Sequence, residues 1–177
     1  GPMALVHVDA HADINDEMFG EKVAHGTIFR RAIEEELVNP QHMFQIGLRA
    51  TGYTADDFDW SRQQGATIVP AEECWYQSLG PLMARVRSVV GPDLPTYLSF
   101  DIDGLDPSVA PGTGTPEPAG LSAAQGLEII RGCFGLNLVG ADLVEVSPPY
   151  DTSGNTALLA ANLVFEMLCS LPGCQRR

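Results

Sequence analysis

The 177-residue chain is short of basic side chains, with 10 Lys and Arg against 23 Asp and Glu and a formal net charge of −13. This charge makes nucleic acid and anionic membrane surfaces unfavourable partners, and it favours a small cationic substrate. Acidity that only confers solubility is the alternative explanation. The sequence also lacks any run of about 18 apolar residues, which argues against a membrane span. No pattern of a basic segment followed by an apolar one opens the chain, so no secretory signal peptide is expected.

Paired cysteine motifs are absent as well. None of the four cysteines forms a Cys-x-x-Cys pair, and no histidine stands near them at zinc-finger spacing. We therefore expect reduced, mostly buried thiols of an intracellular protein. The chain has no repeat, no low-complexity tract and no linker, and 45% of its residues are hydrophobic, so residues 1–177 are expected to form one domain with a real core.

Apolar, β-branched segments alternate with segments of helical pattern, which predicts an α/β sandwich with a mainly parallel sheet. The predicted strands are Ala4–Val8, Met43–Leu48, Ala66–Val69, Thr96–Ile102 and Leu138–Val146. The predicted helices are Gly26–Leu37, Phe58–Gln64, Leu79–Val90, Ser122–Cys133 and Thr156–Leu171. Ser122 is the expected N-cap of the fourth helix.

Acidic motifs follow two of these strands. Asp9-Ala10-His11-Ala12-Asp13 comes after the first strand, and Asp101-Ile102-Asp103 ends the fourth. Successive side chains of a strand point to opposite faces, so residues two apart in each motif share a face. Ligands of open parallel sheets bind beyond the carboxyl ends of the strands. We therefore expect four carboxylates and an imidazole to converge at one edge of the sheet.

Divalent cations are the expected compensation for this charge, because crowded carboxylates at the edge of a core repel one another. The donors are mostly oxygen, with some nitrogen and no sulfur, which suits Mn²⁺, Mg²⁺ or Fe²⁺ better than structural zinc. The carboxylates are too many for one ion and suit two, and a pair of ions can activate water as a nucleophile at neutral pH. The alternative is that the aspartates only cap a loop and a turn, as Asp commonly does.

The three histidines outside the first acidic motif receive different interpretations. His7 shares a face with Asp9 but lies two residues deeper in its strand, and we predict a packed core histidine. His25 lies in the loop after the first motif and is a candidate general acid or base. His42 is predicted to lie on the surface.

Glu145 stands at the end of the last predicted strand, so its carboxylate is expected to point into the same cleft. A carboxylate there can hold a cationic substrate through a bidentate pair with a guanidinium. The segment Gly112-Thr113-Gly114-Thr115-Pro116 lacks the Gly-Lys-Ser/Thr ending of a phosphate loop, and we predict a rigid active-site loop.

These motifs resemble those of the ureohydrolases, the family of arginases, agmatinases and related guanidino hydrolases. The resemblance lies in Asp9-Ala10-His11-Ala12-Asp13, Ser99-Phe100-Asp101-Ile102-Asp103-Gly104-Leu105-Asp106-Pro107, the loop up to Pro116, and Leu143-Val144-Glu145-Val146-Ser147-Pro148. It covers essentially the whole chain and is strongest to agmatinases, particularly mitochondrial ones of animals. It implies a three-layer α-β-α fold and a pair of Mn²⁺ ions.

The resemblance also implies a role for each ligand. Asp9 and Asp101 would bridge the two ions, Asp13 would complete one ion, and His11 with Asp103 would complete the other.

The implied reaction hydrolyses agmatine to putrescine and urea. His25 corresponds to a family histidine that shuttles protons, and Glu145 corresponds to the residue that holds the guanidinium of the substrate. The resemblance further implies a homo-oligomer, a trimer or hexamer, in mitochondria or alternatively in the cytoplasm.

One family feature is missing from the sequence. The family has a sixth ligand, a histidine in a Gly-Gly-Asp-His motif upstream of the first acidic motif, and this chain contains no such motif. The resemblance therefore implies a C-terminal portion of the domain that lacks the N-terminal strands, with one ion short of a nitrogen donor. We expect these missing strands to leave an apolar sheet edge exposed at the first strand.

Two alternatives to a guanidino hydrolase follow. The first is a truncated, catalytically impaired relative with a structural or regulatory role. The second is a zinc deacetylase of related fold, which uses fewer ligands around one ion; the second aspartate in each motif argues against it.

Overall fold

The computed structural model describes residues 1–50 and 58–174. Within them, the strands are β1 (Met3–Val8), β2 (Val38–Leu48), β3 (Thr67–Pro70), β4 (Pro95–Asp101) and β5 (Asn137–Val144). The helices are α1 (Ile28–Glu34), α2 (Asp59–Gln64), α3 (Gly80–Val90), α4 (Ala123–Gly132) and α5 (Asn155–Ser170). Short 3₁₀ helices cover His25–Thr27, Ala71–Cys74, Ile102–Gly104 and Pro148–Tyr150.

All described strand pairs of the sheet are parallel, and their order is β3-β2-β1-β4-β5. From β1 the chain moves to β2 on one side, and it later returns to β4 on the other side. The direction of winding therefore reverses between β1 and β4. Such a reversal leaves a crevice outside the carboxyl ends of the two strands, where open α/β sheets bind their ligands.

Helices cover both faces of the sheet, which gives the predicted three-layer α-β-α sandwich. Ala4, Val6 and Val8 face a core shared with α3, α4 and α5, whereas Leu5 faces a second core shared with α1 and α2. This alternation is the two-residue period of a strand. Strands buried on both faces explain the continuous apolar segments of the sequence.

The end of α1 differs from its prediction. The helix ends at Glu34, because Glu36 adopts a left-handed backbone with φ 56°. The Leu37 N–H donates to the Ala32 carbonyl at 2.9 Å, and the Glu36 N–H donates to the Ile33 carbonyl at 3.0 Å. This is a Schellman arrangement, for which glycine is the usual residue. With glutamate in that position, the sequence carries no visible stop signal.

Other local predictions have mixed outcomes. Ser122 is confirmed as the N-cap of α4, since its Oγ accepts from the Gln125 N–H at 3.2 Å. His7 is confirmed as buried, with 1% of its surface exposed. His42 is half-buried rather than on the surface. The cysteines are free, with Cys74 and Cys133 buried and Cys174 exposed.

The prediction of an exposed edge at the first strand is wrong. β1 lies between β2 and β4, and both neighbours pair with it. The outer strands of the described sheet are β3 and β5. Exposed apolar side chains lie instead on β5 and α5, at Val139, Val144, Leu158, Phe165 and Leu168. None of the described helices is long and apolar enough to cross a membrane.

Candidate metal site

Two tight turns place the acidic motifs at the crevice between β1 and β4. Asp9 follows β1 directly, and its Oδ1 accepts from the His11 N–H at 2.6 Å. Asp101 is the last residue of β4, and its Oδ1 accepts from the Asp103 N–H at 2.8 Å. The first aspartate of each motif thus caps a turn, as the alternative interpretation held. The same turns also bring the two motifs together, so the aspartates can cap turns and still converge on one site.

The two turns approach each other closely because Gly104 has no side chain. A Cβ at this position would lie 3.0 Å from the Asp9 nitrogen and 3.1 Å from a Val8 methyl carbon. The Ala10 N–H donates across the crevice to Asp103 Oδ1 at 3.1 Å. The convergence predicted from strand periodicity therefore arises from paired turns, since Asp9 lies beyond the end of β1.

Among the described residues, one set of three or more potential ligands has its donor atoms all within 4.8 Å of one another: Asp9, His11 and Asp103. His11 Nδ1 lies 3.3 Å from Asp9 Oδ1 and 3.1 Å from Asp103 Oδ2. Two donors bound to one octahedral cation at about 2.1 Å would lie about 3.0 Å apart. The spacing and the oxygen–nitrogen chemistry of this triad therefore fit a divalent cation.

Hydrogen bonds within the triad shift its protonation. Burial works against a charged His11, but hydrogen bonds to Asp103 and Asp9 outweigh burial and raise the pKa of His11 to about 10. Burial also opposes the charge on Asp9, yet hydrogen bonds from His11 and His7 lower the pKa of Asp9 overall. The three side chains therefore either share a proton or hold a cation, because a metal-bound imidazole must give up that proton.

Two further carboxylates at the crevice have raised pKa values. Burial and the neighbouring charges of Asp9 and Asp103 raise the pKa of Asp101. Burial, followed by the charge of Asp9, raises the pKa of Asp13, which sits in a left-handed backbone with φ 53°. Buried carboxylates that retain protons are short of positive charge, and a divalent cation supplies it.

The sequence-predicted site residues all line one cavity of about 480 Å³. Asp13, Asp101, His25 and Glu145 face this cavity together with the triad. His25 is exposed in the 3₁₀ helix before α1. Glu145 is also exposed, one residue after β5, in a left-handed backbone with φ 63°. For a non-glycine residue this conformation is uncommon, and such outliers cluster at functional sites.

Arg49 is a site residue that the sequence analysis missed. It follows β2 directly, and its guanidinium donates to the carbonyls of Asp103 at 2.7 Å, Gly104 at 3.2 Å and Leu105 at 3.2 Å. It also donates to the carbonyls of Glu117 at 2.6 Å and Pro118 at 3.0 Å. One side chain thus ties the Asp103 turn to the loop beyond Thr115.

Two further features support the arrangement of Arg49 and the Asp103 turn. Gly120 leaves room for it, since a Cβ there would lie 2.5 Å from Arg49 Nη2. The Thr115 hydroxyl donates to Asp103 Oδ2 at 3.0 Å. The available signal in the sequence was a lone arginine directly after a strand, in a chain with few basic residues.

The fold and the site together define an α/β protein whose buried acidic cluster lies at a topological switch point and faces a small-molecule cavity. A model of the arginase family matches residues 1–169. The chain therefore belongs to the arginase family, which confirms the resemblance to ureohydrolases.

Individual relatives agree with this assignment. The chain is 68% identical over 177 residues to a guanidinobutyrase of Pseudomonas aeruginosa, covering all of this chain and 55% of that protein. It is 61% identical over 173 residues to a mitochondrial agmatinase of Gallus gallus, covering 98% of this chain and 51% of that protein. The structure superposes on proclavaminate amidino hydrolase from Streptomyces clavuligerus with a TM-score of 0.89 and 43% identity, covering 95% and 56% of the two chains. The chain thus spans about half the length of the curated relatives it matches.

Replacing Arg49 with lysine tests the role of the guanidinium. Lysine keeps the charge but cannot reach all of these carbonyls at once, so Arg49→Lys should lower the free energy of unfolding by about 2 kcal/mol. The matched control is Arg62→Lys in α2, because exposed Arg62 pairs with Asp59 alone among the described contacts and should change stability by less than about 0.5 kcal/mol. Urea unfolding of both variants measures the difference. Equal stability of the two variants would contradict the role assigned to Arg49.

Proposed function

We propose that the protein is a manganese-dependent hydrolase that cleaves a guanidino compound and releases urea, with agmatine as the expected substrate and putrescine as the second product. The triad of Asp9, His11 and Asp103 carries this proposal, because it faces a cavity lined by further carboxylates in a member of the arginase family. The chain spans only about half the length of these relatives, so the activity has to be measured on the whole polypeptide.

The ligand sets would divide the acidic cluster between two ions. Asp9 and Asp101 would serve both ions, His11 and Asp103 would complete one of them, and Asp13 would complete the other. When bound, manganese would supply positive charge and an activated water near neutral pH. The presence of cations at this cluster is supported by the raised pKa values of Asp13 and Asp101, since burial and neighbouring carboxylates both oppose their negative charge.

Glu145 would bind the guanidinium. Its exposed carboxylate faces the cavity, and a bidentate pair with a planar guanidinium would orient the substrate carbon toward the acidic cluster. The loop from Gly112 to Pro116 supports this residue. The Ser147 N–H donates to the Gly112 carbonyl at 2.8 Å, and Thr113 forms an antiparallel bridge with Val146. A Cβ on Gly114 would lie 4.0 Å from Glu145 Oε2, so the loop borders the carboxylate directly.

His25 would serve the leaving group. Cleavage of the carbon–nitrogen bond releases an amine that must take a proton, and an imidazole suits such a transfer near neutral pH. His25 lines the same cavity as the acidic cluster and is exposed, so it can exchange protons with solvent.

The two candidate substrates differ in the group at the end opposite the guanidinium. Neither lysine nor arginine is among the described residues that line the cavity, whereas several carboxylates are, and this charge favours the cationic amine of agmatine. A guanidino acid is the second candidate, because a relative named guanidinobutyrase is 68% identical over the whole chain. A homo-oligomer, trimeric or hexameric, and a mitochondrial location complete the proposal; one similar agmatinase is named as mitochondrial.

Urea release tests the reaction and the substrate together. With Mn²⁺ present, the whole polypeptide should release urea from agmatine faster than from 4-guanidinobutyrate or arginine. Asp101→Asn removes one charge of the cluster and should lower the rate by at least about 100-fold while the far-ultraviolet circular dichroism stays unchanged. Exposed Asp93, in the loop before β4, offers the control Asp93→Asn, which should retain full activity. If the protein released urea from none of these guanidino compounds, the proposed function would be wrong.

A neutral replacement of Glu145 tests guanidinium binding separately. Glu145→Gln keeps the size of the side chain and removes the charge, so KM for agmatine should rise by about 10-fold or more, with Mn²⁺ affinity unchanged. Exposed Glu72, in the 3₁₀ helix Ala71–Cys74, offers the control Glu72→Gln, which should leave KM unchanged. An unchanged KM in Glu145→Gln would assign the guanidinium to another group.

A further inference from the structure

His7 lies behind the candidate metal site, and each of its ring nitrogens has a buried partner. Its Nε2 lies 2.9 Å from Asp9 Oδ2, and its Nδ1 lies 3.0 Å from Gln45 Nε2. His7 is 1% exposed and Gln45 is fully buried. The two residues are direct neighbours across β1 and β2, so the register of the sheet sets their contact. The Phe29 ring packs on the imidazole with its centroid 4.2 Å away.

The orientation of the Gln45 amide follows from its other contacts. Its Nε2 lies 2.7 Å from the Ala12 carbonyl oxygen, and its Oε1 accepts from the hydroxyl of buried Ser61 at 2.8 Å. The flipped amide would place two carbonyl oxygens 2.7 Å apart, and neither oxygen can donate. The amide nitrogen therefore faces both Ala12 and His7.

This orientation determines the tautomer of His7. An amide nitrogen only donates hydrogen bonds, so His7 Nδ1 must accept one and carries no hydrogen. The ring hydrogen then sits on Nε2 and is donated to Asp9 Oδ2. The other oxygen of Asp9 accepts from the His11 N–H at 2.6 Å, so both oxygens of this carboxylate are held in place.

We propose that Ser61, Gln45 and His7 form a positioning relay, which fixes the Nε2–H tautomer of His7 and thereby holds the Asp9 carboxylate in the orientation that binds metal. The proposal rests on the proposed function in one respect, the assignment of Asp9 as a metal ligand. None of the three relay residues lines the cavity, so they act through Asp9 and do not touch the substrate. Mutation of a residue that hydrogen-bonds to a metal ligand typically weakens metal binding 10- to 100-fold.

The tautomer is measured directly by nuclear magnetic resonance. Long-range proton–nitrogen spectra of metal-free protein with ¹⁵N-labelled histidine distinguish Nε2–H from Nδ1–H rings. His7, assigned by its absence from the spectrum of His7→Gln, should give the Nε2–H pattern. An Nδ1–H ring at His7 would overturn the relay whether or not the protein binds metal.

Mn²⁺ titration by calorimetry measures the effect on Asp9. His7→Leu removes the donor to Asp9 and should weaken Mn²⁺ binding by about 10- to 100-fold. His7→Gln supplies an amide N–H in place of Nε2–H and should restore affinity to within about fivefold of the unmodified protein. Gln45→Met leaves β1 untouched and should weaken binding by about threefold to tenfold, which provides a second variant should His7→Leu fail to fold.

Controls separate this proposal from general destabilisation and from the proposed function. Ile129→Val, on the buried face of α4 in the other core cluster, should lower stability and leave Mn²⁺ affinity unchanged. Equal Mn²⁺ affinity of His7→Leu and the unmodified protein would refute the relay and leave the proposed function intact. Lack of Mn²⁺ binding by the unmodified protein would instead refute the proposed function, and the tautomer spectrum alone would then decide whether the relay exists.

Discussion

The crowding of carboxylates between β1 and β4 is the constraint on which the rest of the structure depends. The sheet order β3-β2-β1-β4-β5 reverses its winding at these two strands, so their carboxyl ends open into one crevice. Asp9 and Asp101 stand at those ends, and burial together with the charges of Asp9 and Asp103 raises the pKa of Asp101. Only a compensating positive charge makes this arrangement stable in its ionised form.

Supporting contacts hold the crowded groups in place from several directions. The Asp9 and Asp101 caps close each turn on itself, and Gly104 lets the two turns approach. Arg49 donates hydrogen bonds to the carbonyls of the Asp103 turn, so its positive charge interacts with backbone dipoles rather than with carboxylates. His7 contacts Asp9 from behind the site, and Gln45 in turn contacts His7. Preorganised ligands of this kind lower the cost of ordering the site when a cation binds.

The sequence predicted the α/β sandwich with a parallel sheet, the order of strands and helices, and the sheet edge at which the site lies, because these depend on periodic patterns and on acidic residues after strands. It did not predict features that depend on contacts distant in sequence. Arg49 meets the Asp103 turn only in the folded chain, and Glu36 ends α1 without the glycine that normally marks such an end. The position of β1 inside the sheet follows from pairing with β4, more than 80 residues away, since Ala4 pairs with Thr96.

We propose that the triad of Asp9, His11 and Asp103 holds a divalent cation. Crystals grown with Mn²⁺ and measured at the manganese absorption edge test it most directly, because anomalous scattering locates the ion without reference to activity. We expect an anomalous peak in contact with all three side chains, with the His11–Asp103 hydrogen bond replaced by ligation. Full Mn²⁺ exposure with no peak at the triad, and His11 still hydrogen-bonded to Asp103, would contradict it.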